Sequence, residues 1–492
     1  MKNSVLLIII ILIMSSCRSN KNEDKNSPNK PVSEAKAVNN GNVDFSNYFA
    51  PKTMRLDFYH TGNNSEEIFA VDNILSDGQW SGSKNILIDK LEFGPYFFEV
   101  IDKESNVLLY SRGFASIFGE WQLTPEAQQG WGTFHESLRF PWPLKPVAVI
   151  VKKRNTENKF VQIWNTDVDP ASRLVNKADK IHNEKTFVIS GNDDVNGKLD
   201  IVILGDGYTA AEMEKFRNDA TRLSNALLSA EPFNSLRDKI NIRGVETPAE
   251  ISGLNKPHQG VFKRSPLSVS YGIFDSERYA LSYDNKTIRD VASAVPYDFM
   301  VILMNEKTYG GGGIYNLYTT VAADNMFSDY IMIHEMGHHL AALADEYYTS
   351  SVSYEAPAIT LEPWEPNVTA LLDKGNLKWK DLVGEGTPLP TPWNKDVFDS
   401  YGYDIQKERK AIRAKNLPES VIEELFVRQK SKEEELLSTE KYKGKVGAFE
   451  GANYNSKGMY RSELNCIMYT RYNVFCRVCQ RSITDVIRQY TE

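Results

Sequence analysis

The segment His334-Glu335-Met336-Gly337-His338 constrains the fold more than any other part of this sequence. In an α-helix, residues four apart are separated by about 40° around the axis and by about one turn, so His334 and His338 lie on one face. The opposite face is apolar, with Ile333, Met336, Leu340 and Leu343. The segment therefore predicts a buried helix that carries two imidazoles side by side.

Two imidazoles on one helix face can bind one zinc ion. Glu335 is rotated by about 100° from His334, which places its carboxylate beside a zinc-bound water and away from the ligand positions. There it can take a proton from the water and pass it to a leaving amine. We predict zinc ligands at His334 and His338 and a general base at Glu335. The alternative, two histidines that hydrogen bond to carbonyl groups in a buried helix, is costly in such an apolar segment.

A catalytic zinc site needs a third protein ligand and one open position for water. The candidates are Asp345, Glu346 and His339. His339 lies about 100° beyond the second histidine and is directed away from the pair, which favours a role in the core. Asp345 returns to the histidine face by rotation, but in an unbroken helix it would lie about 16 Å along the axis from His334. We therefore expect the helix to end or bend at residues 341–344.

The first residues predict export from the cytoplasm. A short basic start at residues 1–3 precedes an apolar run at 5–14 and the tripeptide Ser15-Ser16-Cys17. The run is shorter than the roughly 20 residues of a membrane-spanning helix, so residues 1–17 are predicted to be a cleaved signal peptide. The segment resembles a bacterial lipoprotein signal, which implies lipidation of Cys17. A plain secretory signal and an uncleaved anchor are the alternatives. The expected location is the bacterial cell envelope, as an outer-membrane lipoprotein that faces the periplasm or the exterior.

The composition changes along the chain and predicts separate regions. A chain of 492 residues with 41% hydrophobic content is long enough for two or more domains. Residues 18–46 contain few large apolar side chains and are expected to be a disordered tether. Residues 47–175 contain short strand-like runs separated by turn residues, which predicts an all-β sandwich.

Residues 185–492 alternate between strand-like and helix-like segments, which predicts an α/β domain. An apolar strand at 199–204 precedes a helix whose start is marked by a capping box of Thr209 and Glu212. A charged insertion interrupts the domain at about 361–444.

Another apolar strand at residues 298–304 precedes four glycines at 310–313. The strand-like segment 314–321 follows, in the position of an edge strand on which an extended substrate could pair. An ordinary buried strand after a glycine-rich turn is the alternative.

Cysteine content and charge exclude several classes of protein. Cys466, Cys476 and Cys479 permit one disulfide and leave one thiol, and the Cys-x-x-Cys sequence has no second pair to complete a zinc site. We interpret them as packed or singly bridged cysteines. The net charge of −8 offers no attraction for nucleic acid, so no nucleic-acid partner is expected.

The sequence from His334 to Asp345-Glu346-Tyr347 resembles the motif of the M64 peptidases, a family named for an immunoglobulin A protease. Similar segments follow the family's order at residues 204–208, 241–246, 447–452 and 460–468. These segments span most of the second domain and leave the predicted sandwich uncovered. The resemblance implies a zincin-like, metzincin-type α/β catalytic domain with one catalytic zinc ion.

The resemblance also implies roles for particular residues. Asp345 corresponds to the third zinc ligand. Met468 resembles the methionine turn beneath metzincin sites and would support the site structurally, whereas a methionine that fills a core gap is the alternative. Ala341 and Ala342 stand where metzincins usually have a glycine to ease the turn.

These features predict an exported zinc-dependent metallo-endopeptidase that hydrolyses extracellular proteins through a zinc-bound water activated by Glu335. Its partners would be a protein or peptide substrate and a membrane, through the anchor at Cys17. One alternative is a catalytically inactive surface lipoprotein that binds glycan or host protein. Another is a zinc enzyme that acts on a non-peptide amide. Structural calcium stays an open question at this point.

Overall fold

The computed structural model describes residues 43–350 and 360–492. The predicted signal peptide, Cys17 and residues 18–42 of the predicted tether lie outside these ranges, so those expectations stay predictions. Val43 is buried, and a short helix, α1 (Phe45–Tyr48), begins inside the region expected to be a tether. Among the described residues, no helix is both long and apolar enough to cross a lipid bilayer.

Two four-stranded sheets form the N-terminal domain. In chain order its remaining elements are β1 (Phe49–Gly62), β2 (Glu67–Gln79), β3 (Tyr96–Asp102), β4 (Leu108–Phe114), α2 (Ile117–Trp121), β5 (Gly132–Pro143), β6 (Val147–Arg154), β7 (Phe160–Val168) and β8 (Val175–Asn176). The strand orders are β5-β1-β2-β8 and β4-β3-β6-β7. Alternate residues of β1 and β6, among them Leu56, Phe58, Val149 and Val151, meet in one core between the sheets. This is the all-β architecture predicted for the region.

A six-stranded sheet organises the second domain. The elements up to the histidine helix are β9 (Thr186–Ser190), β10 (Leu199–Asp206), α3 (Met213–Ser229), β11 (Ile240–Val245), β12 (Ser270–Tyr271), β13 (Ala280–Leu281), α4 (Asn285–Ala292), β14 (Phe299–Met304), β15 (Gly311–Ile314), β16 (Tyr318–Ala322) and α5 (Ser328–Ala341). The strand order is β15-β16-β14-β10-β11-β9. The four inner strands are parallel and the two outer strands antiparallel to their neighbours. The predicted α/β organisation is thus confirmed.

The remaining elements complete the second domain. They are β17 (Val368–Thr369), α6 (Lys395–Ala414), α7 (Glu419–Ser438), β18 (Phe449–Ala452), β19 (Asn455–Arg461) and α8 (Arg477–Thr491). The three strands form a small sheet of order β17-β19-β18. Helices α6 and α7 lie in the region that the sequence marks as a charged insertion, and they pack on each other.

The two faces of the large sheet pack against two different hydrophobic cores. Along β10, Ile201 and Ile203 face the core that contains α3, α5 and α8, whereas Val202 and Leu204 face the core that contains α4. This arrangement follows from side chains alternating between the two faces of a strand, and both faces of a parallel sheet are normally covered. The capping box predicted at the start of α3 is present, because the Glu212 carboxylate accepts a hydrogen bond of 2.9 Å from the Thr209 N–H.

The strand predicted at residues 314–321 is wrong in one respect. The chain turns at residues 315–317, so the segment divides between two antiparallel strands, and the outer strand β15 contains three of the four glycines together with Ile314. Close packing explains why glycine occupies this strand: a Cβ atom at Gly313 would lie 2.3 Å from the Glu335 carbonyl oxygen. A glycine run has no side-chain pattern that marks it as a strand, so the sequence does not predict β15.

The two domains share buried contacts. Arg55 of β1 is 1% exposed and forms ion pairs with Asp57 and Asp77 of its own domain and with Asp290 of α4. Phe118 of helix α2 lies in the same hydrophobic core as Val202 and Leu204 of the large sheet. The N-terminal domain is therefore held against the second domain through both polar and apolar groups.

Candidate active site

The histidine helix ends where the spacing of the motif requires it to end. Helix α5 stops at Ala341, and Ala342 adopts a left-handed conformation with φ 52° and ψ 33°. Its N–H donates to the His338 carbonyl oxygen at 3.0 Å. Such a conformation costs a non-glycine residue about 1 kcal/mol or more. The predicted end of the helix at residues 341–344 is confirmed, and the turn brings Asp345 back to the histidines.

Three potential ligand atoms form a small triangle at this turn. Asp345 Oδ1 lies 3.1 Å from His334 Nε2 and 3.3 Å from His338 Nε2, and the two nitrogens are 3.2 Å apart. Ligands about 2.0–2.1 Å from a tetrahedral zinc ion would lie roughly 3.3–3.4 Å from one another. The dimensions of the triangle therefore suit three corners of a tetrahedral site.

Both imidazoles are oriented by backbone carbonyl groups. His334 Nδ1 lies 2.9 Å from the Ile467 carbonyl oxygen, and His338 Nδ1 lies 2.5 Å from the Leu343 carbonyl oxygen. A neutral imidazole that donates from Nδ1 carries its lone pair on Nε2, which is the form that binds a metal. In this neutral form, each Nε2 would present a lone pair to a metal ion at the centre of the triangle.

The site attracts positive charge. Burial raises the pKa of Asp345, but the two histidines outweigh it and hold that pKa well below its usual range. Burial lowers the pKa of His338, but the Asp345 carboxylate outweighs burial and the pKa of His338 is raised to about 9. Within residues 43–350 and 360–492, no group donates a hydrogen bond to the buried Asp345 Oδ1. A cation at the centre would satisfy this oxygen and both nitrogens.

A hairpin tip fixes the loop that carries Asp345. In the turn between β18 and β19, the Asn453 N–H donates to the Asp345 carbonyl oxygen at 3.0 Å. The Tyr454 N–H donates to the Tyr347 carbonyl oxygen at 3.1 Å. The Tyr454 hydroxyl donates to Asp345 Oδ2. Asn453 and Tyr454 both have positive φ, at 46° and 63°. This strained tip orients Asp345 so that Oδ1 faces the histidines.

A cavity of about 460 Å³ opens beside the triangle. Glu335, His334, His338 and Asp345 line it, and so do the glycines of β15. The N-terminal domain also contributes to the lining, with Tyr96, Glu120, Gln122 and Lys153. Both domains thus enclose the space in which a substrate would contact the candidate catalytic groups.

Charged groups from several segments reach this cavity. Burial raises the pKa of Glu120 to about 7, with Asp345 and Glu365 adding to the effect and His338 opposing it. The Arg278 guanidinium donates a hydrogen bond of 2.8 Å to the Tyr347 hydroxyl. The sequence did not identify Glu120, Arg278 or Tyr454 as site residues, because nothing in a single sequence indicates which distant segments meet at a cavity.

Met468 packs directly beneath the histidine helix. It is fully buried, and its sulfur atom would lie 3.0 Å from a Cβ placed at Gly337, so the glycine of the motif permits this close contact. The Met468 carbonyl oxygen accepts a hydrogen bond of 2.8 Å from the Glu346 N–H. These contacts are those of a residue that supports the site, and the supporting role itself stays a prediction.

The third histidine and two tyrosines lie away from the cavity. His339 is fully buried, and burial lowers its pKa to about 3, as expected for a core residue. Tyr469 packs its ring against Phe398 and Tyr348. Tyr472 is 38% exposed. Neither Tyr469 nor Tyr472 lines the cavity.

Comparison with known families covers both domains. A family model described as IgA Peptidase M64 matches residues 188–487, which is more than half of the chain, and a model described as Peptidase M64 N-terminus matches residues 44–165. The second match extends the family resemblance to the β domain, where the sequence motifs had not revealed it. No curated protein matches the chain.

An α/β domain with a His-Glu-x-x-His helix, a converging aspartate and an adjoining cavity defines a metallopeptidase type of site. The family comparison agrees with that class. The chain belongs to the M64 peptidase family.

Proposed function

We propose that the chain is a zinc-dependent endopeptidase with a metzincin-type catalytic domain, in which His334, His338 and Asp345 bind zinc and Glu335 is the general base. One observation carries the proposal: three ligand atoms 3.1–3.3 Å apart converge on the wall of a cavity that also exposes Glu335. Membership of a peptidase family supports it.

The donor set fits zinc. Two imidazole nitrogens and one carboxylate oxygen leave a fourth position for water or substrate, as catalytic zinc requires. Zinc held there would act as a Lewis acid and would supply a nucleophile at neutral pH. Glu335 would take the proton of the attacking water and then deliver it to the nitrogen of the leaving amine. The carbonyl groups of Ile467 and Leu343 lie where they would accept from Nδ1 of each imidazole and so favour the metal-binding tautomer.

We further propose that an extended peptide pairs with the outer strand β15. Gly311 already pairs with Tyr279 on this side, whereas Gly312 and Gly313 line the cavity with no side chain to obstruct a peptide. Backbone pairing with a sheet edge gives affinity for peptides of varied sequence. N-methylation of successive backbone nitrogens in a cleaved peptide tests this without altering the enzyme. KM should rise at one or two positions, and an unchanged KM at every position would argue against pairing.

Export and lipid anchoring complete the proposal. The basic start, the apolar run and Cys17 support a lipoprotein signal over residues 1–17, and hence an envelope location and extracellular protein substrates. Metabolic labelling with a fatty-acid analogue should mark the wild-type chain and leave a Cys17→Ser variant unmarked. Equal labelling of both, or of neither, would refute the anchor.

Cleavage of an unfolded protein distinguishes this function from its alternatives. Glu335→Gln and a zinc chelator should each abolish cleavage. The control variant Glu214→Gln makes the same substitution at an exposed position of α3 and should leave cleavage intact. Zinc binding without any cleavage would favour the surface lipoprotein that binds glycan or host protein. Hydrolysis of small non-peptide amides alone would favour the other alternative.

A further inference from the structure

A second cluster of potential ligands lies in the core behind the candidate active site. Glu346, Cys466, Cys476 and Cys479 are all buried, and one ligand atom from each lies within 4.8 Å of the others. The Sγ atoms of Cys466 and Cys479 are 3.8 Å apart, and Glu346 Oε1 lies 3.7 Å from Cys479 Sγ. In the described chain all three cysteines are free thiols. The Cys-x-x-Cys sequence has no second pair beside it, but the fold brings Cys466 and Glu346 to it.

Hydrogen-bond donors surround the sulfur atoms. Cys476 is the N-cap of α8, and its Sγ accepts from the Cys479 N–H at 3.4 Å. The Cys476 N–H in turn lies 3.3 Å from Cys466 Sγ, and the Ser462 hydroxyl lies 3.1 Å from Cys476 Sγ. Backbone N–H groups and a helix N-terminus stabilise thiolates, which are the form of cysteine that binds metals.

Glu346 provides an independent sign that a cation belongs here. Its side chain is fully buried, and Oε1 accepts a hydrogen bond of 3.0 Å from Asn367. Throughout the part of the chain that the structure describes, its other oxygen, Oε2, has no hydrogen-bond partner. A buried carboxylate oxygen without a partner is unfavourable, and neighbouring thiols are weak donors.

We propose that Cys466, Cys476, Cys479 and Glu346 bind a second zinc ion in a structural site. Two thiolates about 2.3 Å from a tetrahedral zinc ion lie roughly 3.8 Å apart, which equals the separation of Cys466 and Cys479. Four protein ligands are typical of structural zinc, and thiolates favour zinc over magnesium or calcium. A disulfide would use two of the three sulfurs and would leave the Glu346 oxygen unsatisfied.

The position of this site gives the ion a structural task. Glu346 follows Asp345 directly, Cys466 lies in the segment that leads to Met468, and Cys476 begins the final helix α8. One ion would therefore connect the loop that carries a candidate catalytic ligand to two segments that support the histidine helix. The four ligands are separate from the triangle of His334, His338 and Asp345.

Metal content tests the proposal in the full chain, purified under reducing conditions and never exposed to a chelator. The wild-type chain should hold two zinc ions and a His334→Ala/His338→Ala variant one. Cobalt added in place of zinc to that double variant should produce the near-ultraviolet charge-transfer band of cobalt bound to thiolate, which histidine and carboxylate ligands cannot give. The band should be lost in the same variant with Cys479→Ser added.

A histidine double variant that is folded but retains no metal would overturn the proposal, as would cobalt binding without the thiolate band. Peptide mapping of the non-reduced wild-type chain provides a second measurement that does not depend on any variant. If Cys466, Cys476 and Cys479 can all be alkylated, but only after the metal is removed, the site is supported. A disulfide between two of these cysteines would refute it. Neither result depends on peptidase activity, so failure of this proposal is distinct from failure of the proposed function.

Discussion

Asp345 Oδ1 lies 3.1 Å from His334 Nε2, although the helix that carries His334 has already ended before Asp345. The left-handed conformation of Ala342 reverses the chain, and the hairpin tip at Tyr454 fixes the carboxylate. The third corner of the candidate metal site therefore depends on segments far apart in the sequence, and each of them can be tested separately.

Replacing Asp345 by asparagine should remove zinc from the active site. The variant keeps the size of the side chain but loses the negative charge that two imidazoles and a divalent ion require. We expect zinc affinity to fall by more than the roughly 100-fold that losing a supporting hydrogen bond can cost. Competitive titration with a chromophoric chelator measures this. Asp329→Asn, at an exposed position on the same helix, is the matched control, and equal affinities in the two variants would contradict the assignment.

Tyr454→Phe should weaken zinc binding while leaving the ligands in place. The change removes only the hydroxyl that donates to Asp345 Oδ2. Losses of this kind typically reduce metal affinity about 10-fold to 100-fold. Tyr460→Phe, in strand β19 of the same hairpin, controls for the general effect of removing a hydroxyl. If both variants bind zinc as the wild type does, Tyr454 has no orienting role.

The sequence predicted those parts of the site that belong to one continuous segment. Helical periodicity placed His334, Glu335 and His338, and the geometry of an ideal helix required the chain to turn before Asp345. The hairpin tip, Glu120 and Arg278 were missed because they reach the cavity through tertiary packing. No local periodicity relates them to the histidine helix.

Gly313→Ala should disturb the contact between β15 and α5. The added Cβ atom would lie 2.3 Å from the Glu335 carbonyl oxygen, and neither backbone can move without breaking the sheet or the helix. Overpacking of this kind costs about 1–3 kcal/mol, so the unfolding temperature and the rate of peptide cleavage should both fall. Gly384→Ala is the control, because within the described residues no heavy atom lies within 4 Å of a Cβ atom there. Identical behaviour of the two variants would show that the contact is unimportant.

Glu433 on α7 should make stability depend on pH. Burial raises the pKa of its carboxyl to about 7 from an ordinary value of 4.5. Between pH 4.5 and about 7, the folded chain therefore binds more protons than the unfolded chain. The protonated Glu433 carboxyl contributes its full share of the free energy of unfolding below pH 4.5, and this contribution is lost as pH rises through about 7.

The variant Glu433→Gln is uncharged at every pH and removes this dependence. We expect its unfolding midpoint in urea to match the wild type at pH 4, where the carboxyl is protonated in both states, and to indicate up to about 3 kcal/mol more stability at pH 9. Glu434→Gln, at the exposed neighbouring position, should follow the wild type at both values. A constant difference between Glu433→Gln and the wild type across this range would exclude the proposed titration.

The order of the large sheet shows a second limit of sequence reasoning. Strands β10 and β14 were evident because continuous apolar runs are typical of buried parallel strands. Strand β15 was not evident, since four consecutive glycines carry no hydrophobic pattern and are usually found in turns. Its place at the edge of the sheet follows from pairing with β16 and from packing against the Glu335 carbonyl group.

Anomalous X-ray diffraction at the zinc absorption edge, on crystals of the chain purified without chelators, tests the central claim most directly. The account predicts a peak about 2.0–2.2 Å from each of His334 Nε2, His338 Nε2 and Asp345 Oδ1. A well-ordered site with no anomalous peak between these three atoms would contradict it.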